Sequence, residues 1–346
     1  MMNYSYWEYK EWFTNNDFVV VGSGIVGLNC AIHLKERFPK SKVVVLEKGL
    51  LPQGASTKNA GFACFGSTSE LLSDLKNHSK EEVFQLVKKR WEGLQFIRNL
   101  LGDINIDYQH NYGYELFSDE VFFEKCKNKT EELNKLLFPL FNANVFSTTQ
   151  NKFNFQNTVP SYLVNKFEAQ IDPGKMVSQL LKKAQEQGVK VLNNISVLGF
   201  SEGTNQVKIN TNQGEISASK VFFATNGFSR ELLKESISPA RAQVLITSQI
   251  KNLHIKGTFH LEEGYYYFRN IHNRILLGGG RNLDFETEET TQFGKTTLIQ
   301  NKLEELLKTI ILPNTAFEIT HRWSGIMGVG NQKTPIVKQL SENSYC

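Results

Sequence analysis

The chain has 346 residues, 40% of them apolar and 21% charged, which is the composition of a globular protein long enough to bury a large core in two domains. Its net charge of +4 comes from scattered Lys and Arg, which argues against a nucleic-acid partner, and no run of about eighteen apolar residues is available to span a membrane. Cys30, Cys64, Cys126 and Cys346 share no metal-type or CxxC spacing, so no metal site or disulfide framework is expected and a reducing, cytoplasmic setting is.

The opening stretch MMNYSYWEYKEWF is aromatic and charged and lacks the pattern of a signal peptide. Phe18 to Val21 is a continuous β-branched and aromatic run, as for a parallel strand covered on both faces. It ends in Gly22-x-Gly24-x-x-Gly27. A helix pattern follows from Ile25 to about Phe38, with Leu28, Ala31, Ile32 and Leu34 on one side and Pro39 as the stop. A second strand, Lys42 to Leu46, closes on Glu47. Gly22 allows a tight turn, Gly24 lets backbone approach a pyrophosphate, and Gly27 lets helix and strand sit close. The helix N-terminus supplies N–H groups and partial positive charge. Glu47, twenty residues past Gly27, is placed to accept ribose hydroxyls. Strand, turn, helix, second strand and acid fall where a dinucleotide site requires them.

A second small-residue run, GASTKNAGFACFG, spans 54–66. A nicotinamide dinucleotide has no use for it. A flavin dinucleotide extends further, and this run offers N–H groups, the Ser56 and Thr57 hydroxyls and the Asn59 amide. Lys58 has two readings, a positive charge near the cofactor or a solvated loop lysine. Cys64 reads as a small buried hydrophobe.

Residues 80–101 put Val83, Leu86, Val87, Leu94, Ile97 and Leu101 on one helical face, with Gly102 as the stop. Residues 119–137 read as one further amphipathic helix, and YGYELF as a strand; the block reads as an inserted domain. At Asp172-Pro173 an N-cap and first helical position are expected, with Gly188 after the last turn. VKVLNN is a strand. SVLGF, QVKINT and GEISASKVFFAT form a meander turning at Asn212-Gln213-Gly214, and Asn226-Gly227 follows its last strand. Residues 236–320 read as aromatic strands. In a strand, Tyr266 faces away from Tyr265 and Tyr267, so either Tyr266 or the Tyr265/Tyr267 pair faces the pocket, and Arg269 shares the face of Tyr267. Arg269 either holds an anionic substrate group or makes a surface or cross-strand ion pair. His254, His260, His272 and His321 have no metal spacing and read as ordinary polar residues.

The motifs VVVGSGIVGL, VVVLEKG, GASTKNAGF and VFFATNGFS together resemble the FAD-dependent oxidoreductases of the D-amino-acid oxidase / glycine oxidase / γ-glutamylputrescine oxidase superfamily, in order along nearly the whole chain. The resemblance implies an α/β fold: a Rossmann-like FAD-binding domain with a discontinuous α+β substrate domain built on an antiparallel sheet. The FAD domain is expected over 1–75, 166–235 and 321–346, and the substrate domain over 76–165 and 236–320. The cofactor implied is FAD. Gly22, Gly24, Ile25, Val26 and Gly27 would hold its pyrophosphate, Glu47 would take its ribose, and Lys48 would also bind the cofactor. Ser56, Lys58, Asn59, Ala60 and Gly61 would line the flavin path. Val197 would pack near adenine, with a plain core role as the alternative. Ala224, Thr225, Asn226 and Gly227 would return to the cofactor, and Gly325 lies in the family's W-x-G turn.

Tyr267, Arg269 and Met327 are the candidates on the substrate side. Members acting on α-amino acids often carry Arg where this chain has Met327, which cannot donate a hydrogen bond. Weight therefore shifts towards amines, unless Arg269 or Arg322 compensates. Members also continue past SENSYC with a glycine-rich turn and helix, so a truncated chain or an open flavin edge is expected. The implied activity is oxidation of a C–N bond in a small amine or amino acid by hydride transfer to flavin N5, giving an imine that hydrolyses. With no second GxGxxG, oxygen or another electron acceptor would reoxidise the flavin. The alternatives are a catalytically impaired nucleotide-binding subunit, an NAD-dependent dehydrogenase and an RNA-modifying flavoprotein.

Overall fold

The β-branched run before the first glycine turn becomes the strand Asn16–Val21, with Val19 and Val20 fully buried. In this computed structural model residues 4–233, 237–330 and 332–346 are described. The chain divides into two compact units: Met1–Asn59, Pro173–Ala240 and Ile326–Cys346 form one, Ala60–Asp172 and Arg241–Gly325 the other. The expected boundary at 235/236 lies outside the described residues.

The first unit is built on a seven-stranded sheet in the order Lys190–Leu192, Val43–Leu46, Asn16–Val21, Gly214–Phe223, Val207–Thr211, Val197–Glu202, with Ser344–Tyr345 beside Gly214–Phe223. Asn16–Val21 is parallel to both neighbours, Val43–Leu46 on one side and Gly214–Phe223 on the other. Chain continuation therefore switches direction at this strand, and such a switch point opens a crevice at the strands' carboxyl ends. Helix Ile25–Arg37 buries Leu28, Ala31 and Ile32 and packs with helix Pro173–Glu186. Pro173 occupies the first helical position, and Gly188, at φ +83°, follows the last turn. Val19, Val21, Val44, Leu46, Ile209, Ile216 and Val221 anchor the core on the sheet.

An eight-stranded sheet, most of whose residues belong to the second unit, has the order Ile319–Val329, Ser238–Thr247, Arg274–Gly279, Tyr266–Ile271, Thr258–Leu261, Gly113–Leu116, Ser161–Asn165, Phe146–Gln150. It is not uniformly antiparallel. Thr258–Leu261 runs parallel to Gly113–Leu116, which is possible because the two strands come from segments far apart in the chain. Helix Lys80–Leu101 has the expected bounds and stops at Gly102, φ +83°. The single helix expected over 119–137 is two, Glu120–Lys127 and Thr130–Phe141. Thr130 Oγ1 donates to the Lys127 carbonyl at 2.7 Å, satisfying one helix end where the next begins. Residues 236–320 are also not all strand. Ile299, Leu303, Leu306 and Leu307 sit on a helix, Thr297–Leu306, whose last turn runs on through Ile311. These residues close the aromatic core around Tyr114, Phe259, Tyr266 and Phe268. Among the described residues no helix is long and apolar enough to cross a membrane.

Candidate functional site

The first glycine turn is as tight as its sequence requires. A Cβ on Gly27 would lie 1.9 Å from the Gly22 carbonyl oxygen, and one on Gly22, at φ +106°, would lie 2.6 Å from the Ala224 carbonyl oxygen. Strand, helix and the strand end at Ala224 thus approach without side chains between them. Gly24 caps helix Ile25–Arg37 without a side-chain hydrogen bond. A hydroxyl from the second small-residue run does part of that work: Ser56 Oγ accepts from the Ile25 N–H at 2.9 Å. A Cβ on Gly24 would stand 2.9 Å from the same oxygen. The N–H groups of Val26 and Gly27 have no acceptor within the helix, and Val26 is exposed. A cradle kept clear of side chains at a positive helix end fits a pyrophosphate.

Glu47 ends the next strand and is 7% exposed. One carboxylate oxygen accepts from the Ser23 N–H at 3.1 Å and the Ser23 hydroxyl at 2.6 Å, the other from the Gly49 N–H at 2.9 Å. The carboxylate is therefore aimed, and its remaining lone pairs can accept further hydroxyls. Lys48 is exposed, with its ammonium 5.6 Å from the Phe228 ring centre. In the second run, Ala55–Thr57 forms one 3₁₀ turn. The Asn59 amide is turned back on the carbonyls of Ala55 and Ser56 at 3.1 and 2.9 Å, so it shapes the turn. Lys58 is half-buried.

Ala224 continues from the strand Gly214–Phe223, and Thr225 Oγ1 contacts Ser229 Oγ at 2.7 Å. Asn226, at φ +48°, accepts at Oδ1 from the Gly328 N–H at 3.1 Å. A Cβ on Gly227 would be 2.5 Å from the Met327 carbonyl oxygen. The structure thus joins the Asn226-Gly227 turn to Met327, which is 39% exposed. Val197 is half-buried against the sheet core, where its strand begins. Gly325 is buried in the strand Ile319–Val329.

The second unit holds Ala60 and Gly61. Ala60 packs with Val244, Leu276, Phe62 and Tyr267. Tyr265 lies outside the strand and is exposed, so it forms no pair with Tyr267. Tyr266 enters the aromatic core. Tyr267 faces the other way, edge-on to Phe62 at 5.8 Å and directly over Gly278. Burial pushes its hydroxyl up to about 12. Arg269 is no surface ion pair: it is 1% exposed, and its Nη1 donates to the carbonyls of Gly61 and Ile171 at 2.9 and 2.6 Å. Arg322 is engaged by Gln300 and Glu304. Cys64 is inert, its thiol pushed well above its ordinary value by burial and then by Glu168 and Glu70.

His260 is more than an ordinary polar residue. It is buried, with Nε2 2.7 Å from Glu168 Oε1, which also accepts from Thr258 Oγ1 at 2.7 Å. Burial opposes its charge, but Glu168 outweighs that, and the imidazole is pushed up to about 9. Nearby, Glu115 is buried under the Ser67 and Ser69 hydroxyls, and burial raises its carboxyl. No sequence spacing announces this network, because its members lie on separate strands and loops. Among the described residues no three His, Cys, Asp or Glu gather as metal ligands.

Comparison with known proteins points to one family. The family described as FAD dependent oxidoreductase (DAO) matches residues 17–346. The γ-glutamylputrescine oxidoreductase of Escherichia coli K12 is 24% identical over 349 residues, covering 95% of this chain and 78% of the relative. Human mitochondrial dimethylglycine dehydrogenase is 26% identical over 290 residues, covering 78% of this chain, which spans only 31% of that longer protein. The crystal structure of glycine oxidase from Geobacillus kaustophilus superposes with a TM-score of 0.74 at 15% identity, covering 96% of this chain and 88% of the other, a likeness of fold. The match over residues 17–346 leads to one assignment: the chain belongs to the DAO family of FAD-dependent oxidoreductases, with FAD as its cofactor.

Proposed function

We propose that this enzyme oxidises the C–N bond of a small amine or amino acid and passes the electrons to oxygen or another acceptor. The observation that carries the cofactor half of the reading is the bond from the Ile25 N–H to Ser56 Oγ, which locks the second small-residue run onto the first. The substrate half is supported by similarity to proteins named for amines and N-methylated amino acids.

In this reading Gly22, Gly24 and Gly27 clear the way for the pyrophosphate, and the N–H groups of Val26 and Gly27 donate to it. Glu47, already oriented by Ser23 and Gly49, accepts the ribose hydroxyls. Ser56, Lys58, Asn59 and Gly61 line the flavin path, and the Asn226-Gly227 turn closes on it beside Met327. The chemistry supplied by bound FAD is acceptance of a hydride at N5; the imine product then hydrolyses in water. Tyr267, with a hydroxyl near 12, keeps its proton at neutral pH and serves as a hydrogen-bond donor, not as a base. Met327 offers no donor to a substrate carboxylate, which favours amines over α-amino acids.

The test is anaerobic. The FAD-loaded protein is mixed with a panel of primary and secondary amines and amino acids, and flavin bleaching is followed. Bleaching by amines is the expected result; bleaching by α-amino acids alone overturns the weight placed on Met327. Glu47→Gln removes a charged acceptor worth roughly 1.5–3 kcal/mol. FAD affinity is expected to fall by about tenfold or more, measured by titrating the apoprotein and following flavin fluorescence.

A further inference from the structure

We propose that Arg269 is a positioning residue for the cofactor, acting through the backbone: its guanidinium fixes the Gly61 peptide at the end of the second small-residue run and ties it to the Ile171 segment. The inference rests on the reading of residues 54–61 as a flavin-binding turn.

The Gly61 carbonyl oxygen receives two donors, the Ile171 N–H at 2.8 Å and Arg269 Nη1 at 2.9 Å. Both lone pairs of that oxygen are engaged, so the plane of the 61–62 peptide is held from two directions. The same Nη1 reaches the Ile171 carbonyl at 2.6 Å, and Nε donates to the Asn270 carbonyl at 3.3 Å. Phe62–Ala63 pairs antiparallel with Ala169–Gln170 immediately beyond this knot. Gly61 itself sits at φ +75°, a conformation that needs external support to stay unique once no side chain restrains it. Within the second unit, one guanidinium therefore fastens both ends of the segment Ala60–Asp172 to each other.

Packing alone does not require an arginine there. Burying a guanidinium is costly, and burial pulls Arg269 down to about 10, with Asp172 and Asp107 favouring the charge. It stays charged at neutral pH. A methionine would fill similar volume without that cost but has no donor for either carbonyl, whereas the guanidinium serves both and, through Nε, the Asn270 carbonyl as well.

The test compares wild type, Arg269→Met and Arg269→Lys as FAD-loaded and apo proteins. The FAD dissociation constant of Arg269→Met is expected to rise at least tenfold, with a changed flavin absorbance envelope. Arg269→Lys, which keeps N–H donors but lacks the Nε bond to the Asn270 carbonyl, should recover part of the affinity. A lower melting temperature in both variants with an unchanged dissociation constant and spectrum overturns the positioning role and leaves the flavin reading intact. A wild-type protein that takes up no FAD overturns the flavin reading instead. Should neither variant fold, amide exchange in the wild type decides. FAD is expected to slow exchange in residues 59–63 and 169–172 together, and slowing confined to the first segment overturns the proposal.

Discussion

Gly27→Ala is expected to cost roughly 3 kcal/mol of stability and to leave the purified protein nearly colourless. The added Cβ would sit 1.9 Å from the Gly22 carbonyl oxygen, 3.0 Å from its carbon and 3.3 Å from Val20 Cγ1. The first two are backbone atoms, so no rotamer change relieves the clash. Either the helix Ile25–Arg37 lifts from the strand Asn16–Val21, or the turn opens. Both outcomes displace the N–H groups of Val26 and Gly27 from the position a pyrophosphate needs, and FAD affinity should drop by about a hundredfold, as expected when about 3 kcal/mol of aligned donors is lost. Gly54→Ala is the matched control. Gly54 has an ordinary extended backbone, φ −70°, and nothing lies within 4 Å of its would-be Cβ. Its stability should stay within about 0.5 kcal/mol of wild type. Thermal denaturation and the flavin-to-protein absorbance ratio measure both effects. Full flavin content in Gly27→Ala would sink the reading of this turn as the phosphate site.

These two glycines also mark what the amino-acid sequence carries and what it withholds. At Gly22 and Gly27 the residue type is itself the geometric instruction, because a Cβ at either would strike a backbone carbonyl, while at Gly24 it would crowd the Ser56 hydroxyl. Strand, turn, helix and acid could therefore be placed from spacing. Ser56 belongs to the same site, but its contact with Ile25 spans 31 positions and depends on how a 3₁₀ turn folds. Period-two alternation put Arg269 and Tyr267 on one face of their strand, yet could not say what covers that face. The cover is the Gly61–Ile171 backbone, which turns a candidate substrate anchor into a buried brace. Helix Thr297–Leu306 had a legible pattern in Ile299, Leu303, Leu306 and Leu307, masked by the strand-like aromatics around it. The division at 128–129 was hidden because charged, helix-favouring residues continue across it, and only the Thr130 hydroxyl bond to the Lys127 carbonyl marks the restart. His260 and Glu168 lie 92 positions apart, and no local pattern links them.

The stability of the second unit should fall as pH rises from about 6.5 towards 9, and His260 is the reason. Its ordinary value is 6.5, and in the fold it stands at about 9: burial opposes the charge, and Glu168 more than compensates, with Glu70 and Glu115 adding to it. The folded state therefore binds this proton more tightly than the unfolded chain. The resulting stabilisation is complete below about 6.5 and is lost as pH climbs through 9; from the two values it is on the order of 3 kcal/mol. Glu115 acts in a lower window with the same sign. Its carboxyl is raised above 4.5, chiefly by burial, so its contribution is present in acid and declines once the unfolded chain ionises. The His260 window is separable between about 6.5 and 8, above the ordinary carboxylates and below the unfolded thiols, whose values in the fold are also raised by burial. In urea denaturation at half-unit pH steps, wild type should lose midpoint across that window. His260→Gln keeps a donor for Glu168 Oε1 but removes the titrating group, and its profile should be flat there. Glu168→Gln should be worse than either, by about 3–5 kcal/mol at pH 6, because it leaves an imidazolium buried without the carboxylate that balances it. A wild-type profile flat from 6.5 to 9 would mean that the imidazole is neutral in the fold and that Glu168, whose Oε2 is buried with no hydrogen-bond partner among the described residues, carries no ion pair.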